Sequence, residues 1–218
     1  MAEVEVSVLV FSKDRPFQLG EYLRTLLLYS HGATLRVTVL AAISARFEAS
    51  YAHLAEVFPE VDFWRETDFA RQVEEAVTAS GEFLLFGVDD ALFCNLLPLG
   101  AAADALRHEA RLSCVHLKLS PGLGFSHPAG AVQHQPRMET LGEELAVFKG
   151  GDGSRDWNYP FELCGTLYRS ALIREVVSQI KSSGGVEGGL SHPNRLEVAG
   201  NTVYSRALGE QAGASSSR

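Results

Sequence analysis

Short apolar runs rich in valine, leucine and phenylalanine recur along this chain, and between them lie segments whose apolar residues return every three or four positions. "VEVSVLVF" (Val4 to Phe11), "LRVTVLAAI" (Leu35 to Ile43) and "EFLLFGV" (Glu82 to Val88) are nearly continuous in apolar side chains, as expected of strands covered on both faces. After the first run, Pro16 suits a first helical turn, and Leu19, Leu23, Leu26 and Leu27 form a helical stripe. After the second, "FEASYAHLAEVF" (Phe47 to Phe58) reads as a helix ended by Pro59. The short strand "VDFW" then precedes a helix that starts near Thr67 or Asp68, with Ala70, Val73, Ala76 and Val77 on one face. This alternation predicts an α/β fold: a three-layer α/β/α sandwich with a mostly parallel central sheet. In such folds ligands bind at the carboxyl ends of the strands. "SKDR" and "VDD" are therefore expected on one rim.

Further along, the pattern predicts a helix from about Leu96 to Ala110 and a strand over "LSCVHLKLS". Residues 121–159 carry Gly, His and Pro with few apolar runs and read as a long irregular excursion, a feature usually functional or disordered. "CGTLYRSALIREVVSQI" predicts a short strand and then a helix capped by Ser170, with Leu172, Ile173, Val176, Val177 and Ile180 facing inward. "SSGGVEGG" reads as a flexible loop and residues 209–218 as a disordered tail. The expected organisation is one domain over 1–208, with a nucleotide-binding half at 1–118, an acceptor-side half at 119–208, and no internal repeat.

A net charge of −8 over 218 residues, with no cluster of Lys and Arg, argues against nucleic acid as a partner. A small phosphate ligand needs no net positive charge and stays open. Cys94, Cys114 and Cys164 are odd in number and lack metal-ligand spacing, which suits reduced thiols in a cytoplasmic protein. "MAEVEVSVLVF" has no basic segment before its apolar run and does not read as a signal peptide, and no 18-residue apolar stretch suggests a membrane span.

Asp89 and Asp90 end a buried strand on the ligand-binding rim. Two readings of them stand side by side: a turn or helix cap, or hard oxygen ligands for Mg2+ or Mn2+ bridging to phosphates. Lys13 and Arg15, flanking Asp14 before a helix N-terminus, suit a nucleotide's phosphate or base, or else a solvated turn. Asp68 reads equally as a helix cap and as a base or ribose contact. His127, His134 and His192 lie in or near loops and read either as a metal ligand or phosphate contact or, as lone loop histidines more often are, as incidental. Trp157, Tyr159 and Phe161 either form a platform for a sugar ring or anchor the long loop to the core.

"VSVLVFSKDRPFQLGEYLRTLL" resembles the opening of the GT-A type, family 2-like glycosyltransferases of the nucleotide-diphospho-sugar transferase superfamily. "FLLFGVDD" is similar to their DXD-type motif, and "WNYPFELCGTLYR" and "HPNRLE" resemble segments of one bacterial-type branch. The resemblance covers most of residues 4–200 and rests on the order of its motifs. It implies transfer of a sugar from a UDP- or GDP-linked donor to a saccharide or other hydroxyl acceptor, as in hexosyltransferases. It further implies a cation, Mn2+ or Mg2+, held by Asp89 and Asp90, and a nucleotide contacted by Ser12, Lys13, Asp14, Arg15, Asp68 and Asp89. Glu162 and Glu197 are the candidates for the catalytic base, and Trp157 and Tyr159 for the acceptor platform. Cys164 stands where the branch carries an acidic residue, and the chain ends soon after "LEVAGN". Both features favour the alternative of an inactive nucleotide- or sugar-binding module. A sugar-phosphate nucleotidyltransferase is a weaker alternative, since "SKDRP" lacks the glycines its first loop usually carries.

Overall fold

The computed structural model describes residues 4–185, 189–208 and 212–216. Its core is a sheet whose strands alternate their side chains between two helical layers. The first half holds β1 (Val4–Lys13), β2 (Ala33–Ala42), β3 (Asp62–Arg65), β4 (Phe83–Val88) and β5 (Leu112–His116). Interleaved with them are α1 (Pro16–Tyr29), α2 (Glu48–Val57), α3 (Phe69–Ala79) and α4 (Leu99–His108). The two-residue period of a strand sends Val6, Val8 and Val10 to one face, against Leu19, Leu23 and Leu26 of α1 and Leu106 of α4. It sends Leu9, Phe11, Leu84 and Phe86 to the other face, against Val73 and Val77 of α3.

The second half adds the two-stranded β6 (Phe125–Ser126) and β7 (Ala131–Val132), then β8 (Met138–Leu141), β9 (Leu145–Lys149) and β10 (Thr166–Arg169). It closes with α5 (Ser170–Ser182), α6 (Pro193–Leu208) and β11 (Ala212–Ser216). The strand order is β3-β2-β1-β4-β10-β5-β11-β9-β8. β1 pairs in parallel with β2 and β4, and β3 with β2, whereas β10 runs antiparallel to both β4 and β5. β9 also runs against its neighbours, so the sheet is mostly parallel with two reversed strands. α5 and α6 cover the same face as α3, through Ile173, Val176, Ile180, Leu196 and Tyr204. The three-layer expectation therefore holds.

The structure differs from the sequence reading in four places. Residues 121–159 are not a structureless excursion: "LAVFK" pairs as β9 with β8 and β11, because Leu145, Val147 and Phe148 have a core to enter. Ser170 is the first helical residue of α5 rather than its cap, and its buried hydroxyl finds no hydrogen-bond partner. β5 ends at His116, short of the expected Ser120: the Leu117 N–H makes one further in-register bond, to the Gly165 carbonyl, and the partner strand β10 begins only at Thr166. Ala212–Ser216, inside the stretch expected to be a disordered tail, runs as a strand between β5 and β9. The remaining tail residues, 209–211 and 217–218, and residues 186–188 of the expected flexible loop lie outside the described residues. Among the described residues no helix is long and apolar enough to cross a membrane.

Candidate active site

β1 and β4 pair in register up to Phe11 and Val88, so Ser12 and Lys13 leave the sheet beside Asp89 and Asp90. The N–H of Asp89 donates to the carbonyl of Phe11 at 3.1 Å, which extends the ladder by one bond and turns the Asp89 carboxylate inward. There its Oδ2 accepts the Ser12 hydroxyl at 2.8 Å and the Lys13 N–H at 3.1 Å. Ser12 Oγ also lies 2.5 Å from the Tyr51 hydroxyl of α2. With the serine proton on Asp89, Tyr51 donates to Ser12 and accepts the Arg15 N–H at 3.2 Å. Burial, foremost, holds the Tyr51 phenol above its ordinary pKa, so it keeps the proton this chain of bonds needs.

Asp14 adopts the left-handed conformation, φ 52°. Its Oδ1 accepts the Ser44 N–H at 2.7 Å while its own N–H donates to the Ala42 carbonyl at 3.2 Å, tying the β1 loop to the β2 loop. Arg15 then reaches back over the rim. Its Nη1 stands 2.9 Å from Asp90 Oδ2 and 3.5 Å from Asp89 Oδ1, the second contact being weak. The hydrogen bond that Arg15 donates to Asp90, and then the fields of both carboxylates, raise the Arg15 pKa further. Two carboxylate oxygens thus converge on one cationic group, and as hard donors they also fit Mg2+ or Mn2+. Among the described residues no group of three His, Cys, Asp or Glu side chains is placed to hold a metal, so a cation here would also draw on other oxygens, such as those of phosphate or water.

A second cluster reaches the same rim from β10. Gly165, at φ 69°, donates its N–H to the Phe86 carbonyl and accepts the Leu117 N–H, both at 2.9 Å. This lays residues 161–164 across the carboxyl ends of β4 and β5. Glu162, only 6% exposed, bonds through Oε1 to Nζ of Lys118. Its N–H donates to the Tyr168 hydroxyl at 2.7 Å. Its Oε2 lies 3.9 Å from Nδ1 of His116, beyond hydrogen-bond reach. That imidazole is buried and its pKa is pulled down to about 3, so near neutral pH it carries no charge to pair with Glu162.

Burial pushes the Glu162 carboxyl up to about 7, and the attraction of Lys118 offsets only part of this. For Lys118 burial is the largest single influence and works the other way, yet Glu162, with Cys164 and Asp156, together outweigh it and raise the ammonium's pKa. The two shifts pull on the pair in opposite directions. The desolvation of Glu162 is the firmer of them, because its carboxylate is far more enclosed than the Lys118 ammonium. Glu197 of α6 accepts the Leu163 N–H on Oε2 at 3.1 Å. Asn201, one helical turn on, accepts the Phe161 N–H at 3.1 Å and donates to the Phe161 carbonyl. α6 therefore clamps the 161–163 segment from one face.

The two clusters share one neighbourhood at Cys164. Burial, above all, lifts its thiol to about 11; Lys118 opposes this, while Glu162, Asp90 and Glu197 add to it. Of the residues expected from the sequence, Ser12, Lys13, Arg15, Asp89, Asp90, Glu162 and Glu197 come together on the rim. Asp68 accepts the Arg71 N–H at 3.1 Å and caps α3, the structural half of its two readings. Trp157 is corrected: it is 1% exposed, packs edge-on against Phe148 and donates its indole N–H to the Leu123 carbonyl. With no free ring face it anchors the long segment and offers no platform. Tyr159 is half-buried, its hydroxyl pushed up to about 12 by burial and then by Glu197. Phe161 lies in the core. His127, His134 and His192 are exposed.

The sequence reading missed Tyr51 and Lys118. Tyr51 sits in an ordinary helical pattern, and only Ser12 and the Arg15 N–H, 39 and 36 residues away, give it a role. Lys118 was absorbed into the strand "HLKLS", although a lysine in an otherwise apolar run near the ligand-binding end of a strand is a signal.

No family model matches the chain. Over 214 residues, 90% of this chain, the sequence is 32% identical to the bifunctional glycosyltransferase pgtA of Dictyostelium discoideum, and it spans 28% of that relative's length. Among solved structures, residues 1–349 of S. aureus TarS superpose with a TM-score of 0.57 at 16% identity, covering 99% of this chain and 58% of that one. TarS 1–349 in complex with UDP gives a TM-score of 0.55 at 18% identity over 99% of this chain and 58% of that one. The complex with UDP-GlcNAc gives 0.54 at 15% identity, over 99% and 56%. These structural likenesses show the fold, which is of the GT-A type, and the pgtA relationship joins this chain by sequence to a segment of that glycosyltransferase.

Proposed function

We propose that the chain is a glycosyltransferase that takes a sugar from a UDP- or GDP-linked donor to a hydroxyl acceptor, with a divalent cation held by Asp89 and Asp90. The observation that carries this reading is the convergence of the Ser12–Arg15 loop, the paired carboxylates and the Glu162 cluster on one rim. A related segment in pgtA and the UDP and UDP-GlcNAc complexes of TarS support a nucleotide-sugar donor. When bound, the cation would offset charge gathering on the leaving diphosphate.

Asp89 is held rigid by Ser12 and Lys13, so it orients the site, while the exposed Asp90 is free to turn toward an incoming ligand. Lys13 and Arg15 supply positive charge for the diphosphate. Glu162 is the base: as the acceptor oxygen bonds to the sugar's anomeric carbon and the bond to the diphosphate breaks, the acceptor proton passes to Oε2, the oxygen that Lys118 leaves open. Glu197 positions that segment through the Leu163 N–H.

The test is the thermal unfolding midpoint with UDP or GDP, each with Mn2+ or with EDTA, for the wild type and Asp90→Asn. A ligand bound only by the folded state raises stability according to its concentration relative to its Kd. One nucleotide is expected to raise the wild-type midpoint only with Mn2+, and Asp90→Asn is expected to abolish the shift. Absence of any shift with either nucleotide would withdraw the transferase reading and leave Asp89 and Asp90 as a turn.

A further inference from the structure

We propose that Arg15 is the site's own counter-cation, which holds the Asp89–Asp90 pair closed to divalent cations until a nucleoside diphosphate draws the guanidinium away. The inference rests on the reading of that pair as the cation site and adds an order to its filling. The guanidinium lies where the two carboxylate oxygens converge, 2.9 Å from Asp90 Oδ2 and 3.5 Å from Asp89 Oδ1. A divalent ion drawing on both oxygens needs that same space, and the charge of Arg15 at such range repels it. A cation arriving alone must therefore push Arg15 into water and forfeit the existing ion pairs.

A diphosphate changes the balance, because its oxygens offer the guanidinium a forked, doubly charged partner that no carboxylate here matches. Once Arg15 turns to it, both Asp oxygens are open to the cation, and phosphate oxygens can complete its ligand set.

The surroundings allow this exchange with little rearrangement. The Arg15 backbone is pinned, its N–H on the Tyr51 hydroxyl at 3.2 Å and its carbonyl accepting the Leu19 N–H at 3.0 Å. Asp89 is pinned by Ser12 and Lys13. Only the Arg15 side chain, 50% exposed, and the Asp90 side chain, 60% exposed, are loose. Nucleotide and cation then bind with positive coupling, and by linkage each tightens the other equally.

The experiment titrates Mn2+ and reads the free ion by electron paramagnetic resonance, with and without UDP or GDP. It compares wild type, Arg15→Gln, Arg15→Lys and the double variant Arg15→Gln with Asp90→Asn. Without nucleotide, Arg15→Gln is expected to bind Mn2+ about fivefold tighter than wild type, the range of an exposed ion pair removed. Arg15→Lys, which keeps the charge, should stay near wild type. Nucleotide should tighten Mn2+ binding strongly in wild type and less in Arg15→Gln. If Arg15→Gln binds Mn2+ no tighter than wild type, or Arg15→Lys binds as tightly as Arg15→Gln, Arg15 is no counter-cation and the proposal falls. If the double variant binds Mn2+ as tightly as Arg15→Gln, the ion sits elsewhere and the reading of the carboxylate pair fails instead. Matching thermal midpoints in Mn2+-free buffer establish that the variants are folded.

Discussion

Glu162 shows how a single residue's chemistry depends on what the chain folds around it. An exposed glutamate is ionised and a poor base at neutral pH, whereas burial holds this one near pH 7, where a base is matched to its task. As the proposed base, Glu162 must be ionised to accept a proton, so transfer is expected to rise with pH through about 7 as one group titrates. Glu162→Gln should lose roughly a hundredfold or more in kcat and remove that limb. Lys118 pulls the carboxyl down against its burial, so Lys118→Met should move the limb to higher pH, and Lys118→Arg should leave it near wild type. A limb unmoved in Lys118→Met would mean that another group titrates. Such pairs are hard to read from sequence: "FELCG" marks Glu162 only through its resemblance to a family, and its partner lies 44 residues away in what looks like plain strand.

At the scale of elements, close contacts explain two glycines that periodicity leaves unexplained. Gly200 sits inside α6, where alanine would ordinarily be favoured by about 1 kcal/mol. A Cβ there would meet Phe161 Cδ1 at 2.2 Å and Cε1 at 2.3 Å, so the missing side chain lets α6 lie directly on the Phe161 ring. Gly200→Ala is therefore expected to reverse the usual sign and destabilise by about 1–3 kcal/mol, measured by urea unfolding. It should also lower transfer, because Phe161 carries Glu162. Gly87 in β4 answers to Tyr22, whose hydroxyl would stand 2.0 Å from an added Cβ. That buried hydroxyl has no hydrogen-bond partner. Tyr22→Phe should accordingly raise stability, by about 1 kcal/mol or more. The strands and helices up to β5 were legible because each repeats a clear period. β8 and β9 were not, since "METLGEELAVFK" hides a five-residue strand among charges and a glycine, and only a waiting sheet edge decides its state.

For the whole molecule, the decisive arrangement is the entry of β10, antiparallel, between β4 and β5. The sequence predicts a parallel α/β sheet with two polar clusters on one rim, but periodicity cannot say where a late strand inserts, and that insertion brings Glu162 and Asp90 both within electrostatic reach of Cys164. It also encloses His116. The imidazole is 2% exposed, with Nδ1 on the Thr166 hydroxyl at 3.0 Å and Nε2 at 3.4 Å from the Cys114 sulfur. Burial first, and Lys118 second, pull its pKa down from an ordinary 6.5 to about 3. Between those values the unfolded chain binds a proton that the native sheet refuses, so the stability this group contributes is whole above pH 6.5 and is lost as pH falls toward 3. The loss approaches about 1.4 kcal/mol per pH unit, one proton's worth, for as long as the folded imidazole stays neutral. Carboxylates titrate in the lower part of the same window, so the informative quantity is the difference between wild type and His116→Gln, which keeps a hydrogen-bonding side chain but takes up no proton. Urea midpoints from pH 7 down to 4 should fall more steeply in wild type than in the variant. Parallel slopes would mean that the native sheet admits the proton, in which case β10 does not seal the strand it crosses and the enclosure that tunes Glu162 is looser than its burial indicates.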